Sequence, residues 1–129
     1  MSKTVVRIGW ITVFLHYFAA VVWLYFATIE TDPQLPSTFL GIPLDKVAHF
    51  LMFLPFPVLG TIAFREQSWW RTLCWTTLAA NFCAFLFESQ QHRINPYRYT
   101  QSSDLNANLL GITVGLLIMV LIGLITKKK

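Results

Sequence analysis

Charge is scarce along this chain. Only 12% of its 129 residues are Asp, Glu, Lys or Arg, about half the share usual in a soluble domain. So few charges cannot make a water-facing surface, and an ordinary soluble globule is excluded. Cysteine is almost absent as well. Cys74 and Cys83 stand nine residues apart in one apolar run, about 13 Å along a helix, so they cannot bridge each other. Nowhere does the apolar pattern alternate with period two over a strand's length, which removes a membrane barrel. Internal repeats and low-complexity tracts are missing too, and no connection is long enough to hold a soluble domain. A recognisable nucleophile motif is also lacking.

What fills the sequence instead is apolar. Hydrophobic residues make up 55% and aromatics 16%, with a mean hydropathy of +0.54. Four runs read as bilayer spans, over residues 5–28, 47–64, 72–87 and 105–126. In lipid each backbone must satisfy its own hydrogen bonds, so these runs are expected to be helices. Pro55 and Pro57 predict a kink midway through the second. The first has a basic start like a signal peptide, but its apolar run is too long and no small-x-small cleavage site follows, so it is expected to be retained. The expectation is an all-α fold: one domain over residues 1–129, a four-helix transmembrane bundle.

Basic residues set the expected orientation. Lys3, Arg7, Arg65, Arg71 and Lys127 to Lys129 lie on the face carrying both termini, against Lys46, Arg93 and Arg98 on the other. Seven against three predicts cytoplasmic termini in the cytoplasmic membrane. The formal charge of +4 then reflects orientation and anionic lipid headgroups, and no nucleic-acid partner is expected.

One stretch breaks the pattern: FESQQHRINPYRYTQSSDLNAN, residues 87–108, sets acids, arginines, amides and a histidine between two apolar runs. The expected topology brings it to the same depth as LDKVAHF at the start of the second helix. Asp45 and His49 lie four apart and share a helix face, as do Asp104 and Asn108, while Glu88 lies three from Gln91 and four from His92 and shares a face with one or the other if the helix continues that far. A polar patch at the outer membrane boundary follows. Asp104, after Ser102 and Ser103, would also serve as an N-cap for the last helix.

The ordered set Asp45-Lys46-x-x-His49-Phe50, Glu88-x-x-Gln91, Arg98 six residues before Asp104, Asn108 four after it, and Gly111 with Gly115 resembles the VanZ-like family of small bacterial membrane proteins. The resemblance covers residues 45–115. It implies a cytoplasmic-membrane protein; the family's namesake is an accessory determinant of resistance to the glycopeptide teicoplanin, and the resemblance supplies no reaction. Phe53 stands where the family often has Tyr, the segment HRINPY is about one residue longer than the common form, and Gln90 competes with Gln91 for the motif position.

Several readings of the patch remain open. Asp45, Glu88 and Asp104 balance Lys46, Arg93 and Arg98, so the cluster could be a self-neutralising network that pins helix ends. Alternatively, Lys46, Gln91, Arg93, Arg98 and Asn108 would bind an anionic envelope lipid or lipid-linked precursor, since guanidinium forks suit phosphate. In a catalytic version His49, oriented by Asp45, acts as general base, with Glu88 or Asp104 as a second acid and Arg98 stabilising an oxyanion. Whether the protein is an enzyme stays undecided. The acids and histidines match no established metal-ligand spacing, so no metal is assigned and the cofactor is unknown. Transport would use His16 and Asn81 near mid-depth. Ala107, Gly111 and Gly115 at four-residue spacing offer a close-packing face, for another helix of the chain or for a homodimer. The segment IETDPQLPSTFLGIPL is a candidate flap over the patch.

Overall fold

The structure is a computed structural model that describes residues 2–27, 37–65, 68–97 and 100–127. Helix α1 spans Lys3–Phe26 and opens on Ser2, whose hydroxyl accepts from the Val5 N–H at 3.3 Å. A small antiparallel hairpin follows, β1 (Thr38–Phe39) and β2 (Ile42–Pro43). Its turn sets Leu40 and Gly41 at φ of 51° and 80°, the positive pair that a type I′ two-residue hairpin uses. Half of the flap expected over residues 29–44 lies outside the described residues, and the hairpin belongs to the half that is described.

The second apolar run forms α2 (Leu44–Phe53) and α3 (Pro55–Phe64), meeting at Leu54. Leu54 itself keeps helical angles and its N–H still reaches the Phe50 carbonyl at 3.0 Å. Pro55 and Pro57 bring no N–H to the next turn, which is why the helix is interrupted there. In that loosened turn the Tyr17 hydroxyl of α1 donates to the Met52 carbonyl. Helix α4 spans Trp69–Ile94, capped by Ser68, and α5 spans Ser102–Lys127.

Among the described residues, three segments are long and apolar enough to cross a membrane: Lys3–Phe26, Leu44–Phe64 and Ser102–Lys127. The expected third span, 72–87, is instead the middle of a 26-residue helix. Its Thr residues, Asn81 and polar final turns dilute the apolar run, so its buried stripe, rather than its hydropathy, marks it as part of the bundle. That stripe runs Leu73, Thr76, Ala80, Ala84, Phe87, Glu88, Gln91, spaced three and four apart.

Much of the described surface is apolar. Trp23, Leu51, Trp75, Phe82, Leu110, Leu117 and Ile125 all face outward, an arrangement that lipid accommodates and water does not. Inside, Phe14, Tyr25, Phe53, Phe56 and Phe87 form an aromatic column. Gly111 and Gly115 explain how α5 comes so close to α2. A Cβ on Gly111 would strike the Phe50 carbonyl oxygen, and one on Gly115 the Leu54 carbonyl oxygen. This small-residue face is therefore occupied by the chain's own α2, the intrachain use that the spacing allowed beside a homodimer.

Candidate functional site

Four helix ends meet at one end of the bundle: the last turn of α1, the first turns of α2 and α5, and the last turns of α4. The N-termini of α2 and α5 bring Lys46, His49, Asp104 and Asn108 together, because these residues share faces at spacings of three and four. Lys46 Nζ lies 2.7 Å from Asp45 Oδ2 and 3.0 Å from Gln101 Oε1, and pairs with Asp104 Oδ1. Asp104 Oδ2 lies 3.5 Å from His49 Nε2. On the other side of the ring, His49 Nδ1 is 3.0 Å from Asn108 Oδ1.

The network continues into α1 and α4. Asn108 Nδ2 donates to the Tyr25 hydroxyl at 3.2 Å, and that hydroxyl donates to Glu88 Oε2. Glu88 Oε1 accepts from the Gln101 N–H at 2.6 Å. Gln91 Nε2 reaches the Tyr25 carbonyl at 3.5 Å, and Asn95 Nδ2 the Phe26 carbonyl at 3.2 Å, tying the end of α4 to the end of α1. His49, Glu88, Gln91, Asp104 and Asn108 are all buried. Such a set of polar groups is stable in this setting only because nearly every one has a partner.

Donor and acceptor directions constrain the centre. Because the Asn108 amide donates to Tyr25, its carbonyl oxygen faces His49 Nδ1, which must carry the hydrogen. Nε2 is then left facing the Asp104 carboxylate. A proton there makes a buried ion pair, and its removal sets a lone pair toward an anion. His49 and Asp104 can thus exchange or hold a proton between two fixed helices.

Most of the expected site is assembled, with three corrections. Asp45 does not orient His49; it is half-exposed at the mouth and paired with Lys46, and Asp104 is the carboxylate beside the imidazole. Asp104 is not an N-cap either. It sits within the first turn of α5 with its side chain turned toward α2, because α5 already begins at Ser102. Arg93 is exposed on the last turn of α4, apart from the network, since α4 continues past Phe87 and rotates it outward. Gln91, not Gln90, is the inward amide. Arg98 lies outside the described residues. The transport residues stay apart: the His16 ring, on the exposed side of α1, meets the Thr12 carbonyl of its own helix, and Asn81 donates to Thr77 of its own.

Tyr25 was the residue sequence reasoning missed. It is fully buried, its ring stands edge-on to His49 at 5.1 Å and to Phe53 at 6.2 Å, and its hydroxyl bridges two helices. The neighbourhood of Phe53 therefore has a hydroxyl after all, brought from α1. The available signal was weak: a lone Tyr near the end of an apolar run, at the depth where the other polar segments converge.

Asp45, Lys46, His49, Glu88, Gln91, Asp104 and Asn108 of the ordered set thus stand at one end of the bundle. The VanZ/LLP1 family model matches residues 4–123, nearly the whole chain. The chain belongs to the VanZ/LLP1 family. No curated protein and no solved structure matches it. In this VanZ/LLP1 chain a groove of about 460 Å³ runs between α1 and α2 from Asp45 and His49 down to Tyr17 and Pro55. Its remaining walls, such as Val21, Leu24, Ala48 and Leu51, are apolar.

Proposed function

We propose that this VanZ/LLP1 protein binds, and in a catalytic version modifies, a phosphate-bearing envelope lipid or lipid-linked precursor at the polar cluster. The groove between α1 and α2 carries the reading: an apolar channel that ends on His49 and Asp45 suits a molecule with a hydrocarbon chain and a polar head. From Asp45 to Pro55 the helical rise is about 15 Å, the length of roughly a dozen methylenes. The N-termini of α2 and α5 point at the same place, which favours an anion. The two buried acids are already engaged, Glu88 by Tyr25 and the Gln101 N–H, Asp104 by Lys46 and His49.

Among the described residues, however, Asp45, Glu88 and Asp104 outnumber Lys46, so recognition of phosphate on this reading depends on Arg98. His49, beside Asp104, would be the general base in any chemistry. On the orientation expected from the basic asymmetry the site would face outward from the cytoplasmic membrane, and, since the family's namesake is an accessory determinant of teicoplanin resistance, altered glycopeptide susceptibility is the expected phenotype. Arg98→Ala should weaken binding of a polyprenyl phosphate far more than that of the uncharged polyprenol, and Ala48→Trp, which fills the groove, should weaken both. Equal binding of the two lipids to the native chain would sink the proposal.

The second reading is a structural pin, favoured by the way one network ties α1, α2, α4 and α5 together. It predicts uniform loss of stability on substituting Lys46, Glu88 or Asp104. Removing one partner strands a buried charge, at about 3–5 kcal/mol.

A further inference from the structure

At the opposite end of the bundle α1 stands away from its neighbours. Its first core residue is Phe14, while Val5, Val6, Ile8 and Trp10 are exposed. The resulting cleft, about 670 Å³, is lined by Lys3, Arg7 and Arg65 with the indoles of Trp10 and Trp69. No acid is among its described lining residues. The described segments that meet at this end, 2–10, 62–65, 68–71 and 123–127, carry Lys3, Arg7, Arg65, Arg71 and Lys127 and no acid, and Glu66 is the one acid of the sequence between Arg65 and Arg71.

The placement of these cations exceeds what orientation in a bilayer demands. An orientation signal works from any face of a helix. Lys3, Arg7 and Trp10, at spacings of four and three, instead lie on the face of α1 that continues through Phe14, Val21 and Tyr25, the face that packs on the bundle. The Arg65 guanidinium stacks on the Trp69 ring at 5.4 Å from its centroid, and Lys127 on Trp70 at 5.6 Å, so indoles position the charges at this level. Beside Arg65, Phe64 walls a second, apolar groove between α1 and α4.

We propose that this cleft is a binding site for the headgroup of an anionic phospholipid from the surrounding leaflet. The phosphodiester would lie among Lys3, Arg7 and Arg65, and the indoles would hold the glycerol level. The site is independent of the polar cluster, since it shares no residue with it. A bilayer supplies such lipids at high local concentration, and paired aromatic and cationic side chains at helix ends suit their amphipathic boundary.

The test uses the full chain in mild detergent, with native mass spectrometry after titration of phosphatidylglycerol or phosphatidylcholine. One phosphatidylglycerol should be retained in preference to phosphatidylcholine. Each cation lost should weaken that preference about fivefold, so Arg7→Gln with Arg65→Gln should lower it roughly 25-fold. Arg93→Gln, at the other end, should leave it intact. Ile62→Trp keeps every charge but fills the cleft, and should lose the preference as well, which covers the case in which the double variant does not fold. Equal retention of the two lipids by the native chain overturns the proposal, as does a preference that survives Ile62→Trp or falls equally with Arg93→Gln. Glycerol phosphate in excess should not displace the lipid; displacement would show that the cleft takes soluble phosphate esters instead.

Discussion

Removing one oxygen from Tyr25 tests the site at the residue least visible from sequence. In Tyr25→Phe the ring still fills its place against His49, Phe53 and Phe87, so packing is preserved. What is lost is the donor to Glu88 Oε2 and the acceptor for Asn108 Nδ2. A hydrogen bond to a charged group contributes about 1.5–3 kcal/mol, and a buried amide donor left unpaired costs about 1–3 kcal/mol. The two losses share one oxygen and partial relaxation offsets them, so the expected destabilisation is about 2–4 kcal/mol rather than their sum. Intrinsic tryptophan fluorescence during heating in detergent would measure it, and a double-mutant cycle with Glu88→Gln would isolate the pair. The cycle should show a coupling of about 1 kcal/mol or more, since neighbours within one network are not additive. A Tyr25→Phe protein within 0.5 kcal/mol of the native chain, or a cycle with no coupling, would refute the claim that this hydroxyl holds α1 to α4 and α5.

Gly111→Ala and Gly115→Ala should each destabilise by more than about 2 kcal/mol, because the new methyl meets backbone carbonyls of α2 that have no rotamer with which to move aside. Gly9→Ala, with nothing within 4 Å, should be neutral or slightly stabilising by the same thermal assay. For orientation, a cysteine replacing Ser102 in a chain lacking Cys74 and Cys83 should react with an impermeant thiol reagent on intact cells stripped of any outer barrier. One replacing Ser68 should not react, and the reverse pattern would turn the polar cluster to the cytoplasm.

Much of the architecture was legible because lipid permits few alternatives. Long apolar runs must be helices, prolines must interrupt them, and glycines four apart mark a close approach. Shared faces on one helix were read correctly for Asp104 with Asn108 on α5 and for Glu88 with Gln91 on α4, all four of which turn inward. Partnerships between helices were not legible. Asp45 was expected beside His49 because four residues separate them, yet the nearer carboxylate is Asp104 of α5, 55 positions away by chain and opposite in space. Spacing reports which side a group faces; it carries no information about what the facing helix presents.

The same limit explains α4. A bilayer span is recognised by uninterrupted apolarity, and that criterion loses force where a helix carries polar residues into the core. Glu88 and Gln91 depress the hydropathy of α4, yet they continue the inward stripe of Leu73, Thr76, Ala80 and Ala84 without a break in spacing. Had they been surface residues of a loop beginning at 88, neither could have reached Tyr25. The extension of α4 to Ile94 is therefore what allows α1 to join the cluster.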